Sequence, residues 1–335
     1  MAVEKRLDHY WYTSGPVSFI LWPVSWLFTI VAKARKIAQT ARQKPLPDNI
    51  PLIVVGNISV GGTGKTPMVI WLANMLKAYG MSPGIVSRGY GGSSLEYPQK
   101  VTRKSNPLKV GDEPVVIARS TLCPVYVDPN RLQAIDHMVR ENMVDIIISD
   151  DGMQHYKMPR NLEIVMIDGI RRFGNHCCLP AGPLREPVSR LKSVDFKVVT
   201  SGDKKDDDEY TMQLQGTELV NVRDPAKSKQ LKDFRRHQVH AVAGIGSPIR
   251  FFTTLTSAGV EVVRHPFPDH HIYKAADLKF TVDLPIIMTE KDAIKCAHLV
   301  GDDVWYLPVK AKLGHDFATN LIHKIKAIQR GQTTA

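Results

Sequence analysis

An α/β fold in two successive blocks is predicted by three features of the sequence. Short apolar runs recur between helical patterns, a glycine-rich loop joins one of these runs to a helix, and one strongly charged stretch separates an earlier block from a later one. The 335 residues, 43% hydrophobic and 23% charged, have the composition of an ordinary packed protein. Wholesale disorder, collagen and coiled coil are thereby excluded. The four cysteines, Cys123, Cys177, Cys178 and Cys296, form no C-x-x-C pair. Neither a disulfide scaffold nor a zinc site is expected, and a reducing cytosol is the default. An excess of 44 Lys plus Arg over 33 Asp plus Glu gives +11, which fits an anionic partner such as nucleic acid, nucleotide or an acidic lipid surface.

Residues 1–44 read as a membrane-associated segment. From His9 to Ala32 there is no Asp, Glu, Lys or Arg, and residues 16–32 carry Phe19, Ile20, Leu21, Trp22, Val24, Trp26, Leu27, Phe28, Ile30 and Val31. A spanning helix wants about 20 predominantly apolar residues. This run is shorter, is broken by Pro23 and is dotted with Ser18, Ser25 and Thr29, so an interfacial anchor is favoured over a span. Lys5, Arg6, Lys33, Arg35, Lys36, Arg42 and Lys44 against Glu4 and Asp8 put +5 of the +11 here, which suits an anionic cytoplasmic leaflet. The two tryptophans fit interfacial anchoring. A signal peptide has a similar start, but no convincing small-x-small cleavage site precedes Lys33. A buried core helix is the other competing reading, because length alone does not separate it from a membrane contact.

Residues 45–200 read as a parallel α/β domain, with strands at LIVVG (52–56), PVYV (124–127), VDIIIS (144–149), EIVMID (163–168) and FKVVT (196–200). The polar stretch SGDKKDDDEY (201–210) is the best candidate for a boundary or an exposed turn, and the division is placed there. Residues 201–335 form the second α/β block, with strands in QVHAVAGIG (238–246), VEVV (260–263), PIIMT (285–289) and VWYLPV (304–309) and a helix over 249–257.

Between the strand LIVV and a helix marked by Met68, Leu72, Met75, Leu76 and Tyr79 lies Gly56-Asn-Ile-Ser-Val-Gly-Gly-Thr-Gly-Lys-Thr66. Strand, glycine loop and helix are the context of a nucleotide phosphate loop. Its span Ser59, Val60, Gly61, Gly62, Thr63, Gly64, Lys65 and Thr66 departs from the usual pattern only in having Ser59 where a first glycine stands. Glycines let backbone N–H groups curl around phosphate, Lys65 reaches the β and γ phosphates, and Thr66 is a Mg²⁺ ligand at the positive end of the helix. Pro67 is tolerated in the first helical turn. VDIIIS runs into Asp150 and Asp151, so that one carboxylate can hold Mg²⁺ directly or through water, a Walker B arrangement. Which of the two touches the metal is left open by the sequence.

The polar strings Ser87-Arg-Gly-Tyr-Gly-Gly92, Val110-Gly-Asp-Glu-Pro114, Asp150-Asp-Gly-Met-Gln-His155, Leu184-Arg-Glu-Pro187, Phe267-Pro-Asp-His-His271 and Thr289-Glu-Lys-Asp292 accompany VGGTGKTP. Together and in this order, over about residues 10–310, they closely resemble the tetraacyldisaccharide 4'-kinase family. The resemblance implies two α/β/α sandwich domains, a phosphate-loop kinase core and a smaller C-terminal α/β domain that closes over the cleft, behind an N-terminal membrane-associated helix. It also implies transfer of phosphate from ATP, with Mg²⁺, to the 4'-hydroxyl of an acylated disaccharide 1-phosphate, a lipid A precursor, at the cytoplasmic face of the bacterial inner membrane. Peripheral or monotopic attachment and a monomer are expected. By the same resemblance Asp112 is the catalytic base with His270 as partner, an aspartate being a weak base that an imidazole can orient or share a proton with. Lys65 and Asp151 join the catalytic group, and Arg88, Tyr90, His155, Arg185 and Glu186 are cleft residues contacting nucleotide or lipid. Asp269 is a candidate to orient His270, and His271 reads as structural. Arg88, Arg171, Arg172 and Arg185 are the fork-shaped donors considered for phosphate.

Two other classes fit less well. A membrane-associated regulatory ATPase of the partitioning type shares GGTGKT but carries a signature lysine where this chain has Val60. A nucleic-acid-dependent ATPase is disfavoured because residues beyond 44 carry only +6 of the +11 and no aromatic-basic motif occurs, so no nucleic-acid partner is expected. Around Gly244 and Gly246 a dinucleotide fingerprint fails for want of a third glycine, and a tight βα turn is read instead.

Overall fold

The computed structural model describes residues 10–13, 15–45 and 50–331. In chain order its elements are α1 (Pro16–Thr40), β1 (Leu52–Gly56), α2 (Lys65–Ala78), β2 (Pro83–Ser87), β3 (Gln99–Val101), α3 (Asp112–Thr121), β4 (Val125–Val127), α4 (Arg131–Glu141), β5 (Ile146–Asp150), β6 (Leu162–Asp168), β7 (Phe196–Thr200) and β8 (Glu209–Gln215). There follow β9 (Glu218–Asn221), β10 (Ser228–Gln230), β11 (Gln238–Ala243), α5 (Pro248–Ser257), β12 (Glu261–Pro266), β13 (Ile286–Thr289), α6 (Glu290–Cys296), β14 (Val304–Leu307), β15 (Lys310–Leu313) and α7 (His315–Gln329). Glu4, Lys5, Arg6, Asp8 and His9 of the sequence reading lie outside the described residues.

The larger sheet runs β15-β8-β7-β6-β1-β5-β2-β4-β3 and is parallel except at its two edges, where β15 and β3 are antiparallel. Every residue of β1, β2, β4, β5 and β6 is buried, as a parallel sheet covered on both faces requires. The alternation of side chains distributes them: Ile53 and Val55 pack with Leu72 of α2, Val115 of α3 and Phe317 of α7, while Leu52 and Val54 pack with Ile135 and Met138 of α4. The smaller sheet runs β10-β9-β14-β13-β11-β12, and β11 to β14 are its parallel part. Its two faces carry their own cores, one around Phe252, Leu255 and Trp305 and the other around Met288 and Leu278. Two α/β layers with two sheets are what the sequence predicts.

The boundary expected at 200/201 is not where the sheets divide. The charged stretch is a connection inside the larger sheet, because β8 beyond it pairs with β7. After the smaller sheet the chain returns: β15 pairs with β8, and Phe317 of α7 meets Phe196 of β7 with ring centroids 5.3 Å apart. The smaller sheet is therefore an insertion, and the run 201–335 is shared between both units. A charged stretch identifies an exposed turn, and exposure is common to turns within a sheet and turns between sheets.

Pro23 does not break α1, which continues through it. A proline removes one helical hydrogen bond, but contacts on both sides of it hold the axis. Asn175 Nδ2 donates to Ser18 Oγ at 3.2 Å, and Ser25 Oγ accepts from Ala181 N at 2.9 Å. Ser25 is buried, whereas Phe19, Ile20, Trp22, Trp26, Leu27 and Val31 are exposed. The core-helix reading is thus excluded. At 25 residues the helix is long and apolar enough, by length and composition, to cross a membrane, so the continuous helix exceeds the interrupted run that the proline predicts.

Candidate active site

β1 ends at Gly56 and α2 begins at Lys65, so the loop between them turns around a helix N-terminus. Gly64 has φ +84°, a conformation strained for any side chain, and a Cβ there would press on Met212 and Thr200 at 3.1 and 3.2 Å. The loop is pinned from outside by the segment after Pro183: Val60 N donates to Pro183 O at 2.8 Å and Arg185 N to Ile58 O at 2.7 Å. The string Leu184-Arg-Glu-Pro187 is thus the bracket of the phosphate loop. It delivers Arg185 to within 3.6 Å of Asp151, which Lys65 approaches from the other side at 3.5 Å. Lys65 Nζ also donates to Asn57 Oδ1 at 3.3 Å.

Asp150 lies beside Val55 in the register of β1 and β5, which brings both aspartates to the phosphate loop. Asp150 is buried; one oxygen accepts from Ser87 Oγ at 3.2 Å and the other has no hydrogen-bond partner. Burial, with Glu113 and Asp151 adding negative charge, pushes its pKa up to about 7. For Asp151 burial is outweighed by Lys65 and Arg185, and its pKa falls. A buried carboxylate with an orphan oxygen next to a second carboxylate fits a cation. Among the described residues no group of three or more His, Cys, Asp or Glu is arranged to hold a metal ion by itself. Asp150, Asp151 and Thr66 would thus share a Mg²⁺ with phosphate and water, the usual way that ion is held.

Two cavities meet here. One, of about 1000 Å³, runs from the phosphate loop to the smaller sheet and includes Gly246, Arg250, His270 and Lys291. The other, of about 450 Å³, includes Arg88, Arg131, Asp150 and His155 and reaches Arg35 and Gln39 of α1. Tyr90, Glu113, Asp151 and Arg185 border both.

Asp112 opens α3 and His270 sits in the left-handed region at φ +58° after β12. The fold joins them across the two units: His270 Nδ1 lies 3.1 and 3.2 Å from the Asp112 carboxylate oxygens. Burial opposes charge on Asp112, yet the His270 hydrogen bond, Lys291 and Lys295 outweigh it and lower the pKa to about 2. The same hydrogen bond raises His270 against its burial. His270 borders the larger cavity, and Asp112, only 4% exposed, stands behind it. Asp269 Oδ1 is 3.8 Å from His270 Nε2. His271 bonds Asp277 at 3.1 Å and stacks on Phe267.

Lys65, Thr66, Asp150, Asp151, Arg88, Tyr90, His155 and Arg185 are brought together around the junction, with Val60, Gly61, Gly62, Thr63 and Gly64 along the larger cavity. His155 is held neutral, burial and then Arg131 and Arg160 lowering its pKa to about 4. Ser59 is turned inward, bridging to Leu184. Glu186 is not a cleft residue: it is buried, accepting from Gln154 Nε2 at 2.8 Å and from Tyr156, with Arg190 at 3.3 Å. Arg172 is committed to Glu209 at 2.6 Å and is withdrawn from the phosphate donors. Four residues near the site were not singled out by sequence: Glu113, paired with Lys291; Lys291 itself; Arg250, paired with Asp168; and Arg131, whose Nη2 donates to Asp151 O at 2.9 Å. The first two stood inside quoted motifs, where a neighbouring residue drew attention. Arg131 and Arg250 carry no motif signal.

Known proteins similar to this chain share one description. A family model described as tetraacyldisaccharide-1-P 4'-kinase matches residues 17–326. A tetraacyldisaccharide 4'-kinase of Methylobacillus flagellatus is 46% identical over 326 residues, 97% of each chain. That of Nitrosococcus oceani is 45% identical over 316 residues, 93% of this chain and 92% of the relative. A solved structure of LpxK from Aquifex aeolicus, described as an "apo" form in complex with ATP, superposes with TM-score 0.76 at 28% identity, over 93% of this chain and 99% of that one.

Proposed function

The chain belongs to the tetraacyldisaccharide-1-P 4'-kinase family, and from that premise we propose how its residues divide the work. The protein is an ATP-dependent lipid kinase, transferring the γ-phosphate of ATP to the 4'-hydroxyl of a tetraacyldisaccharide 1-phosphate in lipid A biosynthesis, with Mg²⁺. One observation carries the assignment of roles. The phosphate loop of the larger-sheet unit and His270, which follows β12 of the smaller sheet and bonds Asp112 of the larger-sheet unit, border one cavity that meets a second cavity reaching α1.

The loop N–H groups and Lys65 bind the β and γ phosphates. Asp150, Asp151 and Thr66 would hold Mg²⁺, which would supply neutralisation of the phosphate charge. Arg185, already beside Asp151, is positioned for charge on the transferring phosphoryl. The acceptor disaccharide occupies the smaller cavity among Arg88, Tyr90 and His155, its hydroxyl toward the junction. The Asp112–His270 pair takes the hydroxyl proton: Asp112 orients the imidazole through Nδ1 and shares the proton with it.

The same residues support a site of action at a membrane. The apolar side chains of α1 are exposed, and Arg35 and Gln39 of that helix border the acceptor cavity. An amphiphilic acceptor lying in a leaflet would meet the site without leaving the interface. We propose a monomer bound peripherally or monotopically to the cytoplasmic face of the inner membrane, since one chain completes both cavities.

The test is transfer of labelled γ-phosphate from Mg-ATP to tetraacyldisaccharide 1-phosphate in mixed micelles. Acceptor-dependent label in a lipid bisphosphate is expected, falling about a hundredfold or more in Lys65→Ala. ATP hydrolysis with no label in lipid would overturn the reading.

A further inference from the structure

Lys295 is a buried cation that the mechanism above leaves unused. We propose that Lys295, anchored by Asp292, is a positioning residue that fixes the Asp112 carboxylate and through it the orientation of His270; this rests on reading Asp112–His270 as the proton acceptor. Lys295 Nζ lies 3.1 Å from Asp292 Oδ1 and 3.7 Å from Asp112 Oδ2, with the three side chains between 0% and 5% exposed. Asp292 is itself held from two other sides. Its Oδ2 accepts from Gly244 N at 2.9 Å and from Thr289 Oγ1 at 2.6 Å, leaving Oδ1 to the lysine. The Tyr273 ring covers the ammonium, 5.3 Å from its centroid.

The arrangement separates two lysines one helical turn apart on α6. Lys291 pairs with Glu113 and borders the cavity. Lys295 is sealed behind Asp112, so it reaches no substrate and acts only through that carboxylate. A buried carboxylate facing a fixed ammonium on one side and an imidazole on the other has little freedom to rotate. Asp292 also ties in the loop that meets the phosphate loop. Gly244 leads to Gly246, where a Cβ would stand 3.0 Å from Gly62 N of the phosphate loop. The groups facing Asp112 are thus His270 and Asp269 from the loop after β12, Lys291, Asp292 and Lys295 from α6, and Glu113 on its own helix.

The experiment is a double-mutant cycle on the full chain, Lys295→Met with Asp112→Asn, read as lipid phosphorylation across pH together with ATP affinity. Lys295→Met keeps most of the stem and removes the charge. The expected result is a fall in kcat of about tenfold with ATP affinity unchanged, and an acid limb of kcat/KM for the acceptor displaced to higher pH, because the pair holds its proton more tightly without the cation. In the Asp112→Asn background the second substitution is expected to cost less than about twofold. Equal losses in both backgrounds, or an acid limb that stays in place, would overturn the role of Lys295. Full transfer by Asp112→Asn alone would instead overturn the base reading and this role with it. Lys295→Gln carries the same cycle if the methionine variant does not fold, and Lys295→Arg, which keeps the charge, is expected to keep the wild-type acid limb.

Discussion

Asp112 and His270 titrate as a pair, and the direction of each shift dictates how the enzyme responds to pH. With Asp112 near 2 and His270 above its ordinary 6.5, the pair carries one proton, on the imidazole, between those values. Accepting the hydroxyl proton requires that site to be empty. The value of kcat/KM for the acceptor is therefore expected to fall as pH drops through a value above 6.5, and His270→Gln to abolish that limb; a limb that persists in His270→Gln would assign it elsewhere. Stability runs the other way. The raised imidazole contributes to the contact between the two units fully below its unfolded pKa, and that contribution is lost as pH rises through the folded one. The two residues are 158 apart in sequence. Their types make each a candidate, but only the family resemblance joined them, since spacing says nothing about a contact made between separate sheets. Glu186 illustrates the converse. A glutamate beside a cleft arginine looks functional, whereas Gln154 and Tyr156, 32 and 30 residues away, and Arg190 close by make it a buried structural anion.

α1 and the phosphate loop stand at opposite ends of legibility. The loop is a local object: a buried strand, glycines at the turn and a helix beginning at Lys65 are contiguous, so sequence specifies nearly all of it. What sequence does not reveal is the bracket at Pro183 to Arg185, which arrives from a distant segment and orders the loop from outside. In α1 the composition is legible and its continuity is not, because Ser18 and Ser25 are secured by Asn175 and Ala181 far along the chain. These polar contacts fix one flank and leave Trp22, Trp26 and Leu27 outside. Replacing the three by serine is expected to abolish co-sedimentation with anionic vesicles while leaving the thermal midpoint of the body within a few degrees, since exposed side chains contribute little to folding. Undiminished vesicle binding would assign attachment to another surface.

At the scale of the molecule, the smaller sheet is inserted between β8 and β15 and carries half of the base pair, so it is tied to the larger sheet through two chain crossings. Arg250 with Asp168, Lys291 with Glu113 and His270 with Asp112 are ion pairs between the units. We propose that the division of domains follows the sheets, and that ATP with acceptor draws the units together over the larger cavity, as motifs split between them require for in-line transfer. Small-angle scattering is expected to show a smaller radius of gyration with an ATP analogue and acceptor together. An unchanged profile would count against closure.

By itself the sequence determined what is local in this protein. Buried β runs set the α/β class, the loop from Ser59 to Thr66 set the strand, glycine turn and helix of the nucleotide loop, a run of Asp-Asp at a strand end set the proposed metal ligands, and the apolar run at 16–32 set the exposed apolar helix. These follow from neighbours along the chain, whose side-chain types and backbone preferences act within a few residues. Tertiary structure alone decided which charges are used up in pairing, as Arg172 and Glu186 are, and which are left to face the cavities. It also decided that the charged stretch at 201–210 joins two strands of one sheet and that the C-terminal helix completes the first core. Pairing of this kind depends on distances between residues far apart in sequence, and those distances are set only when the sheets have packed.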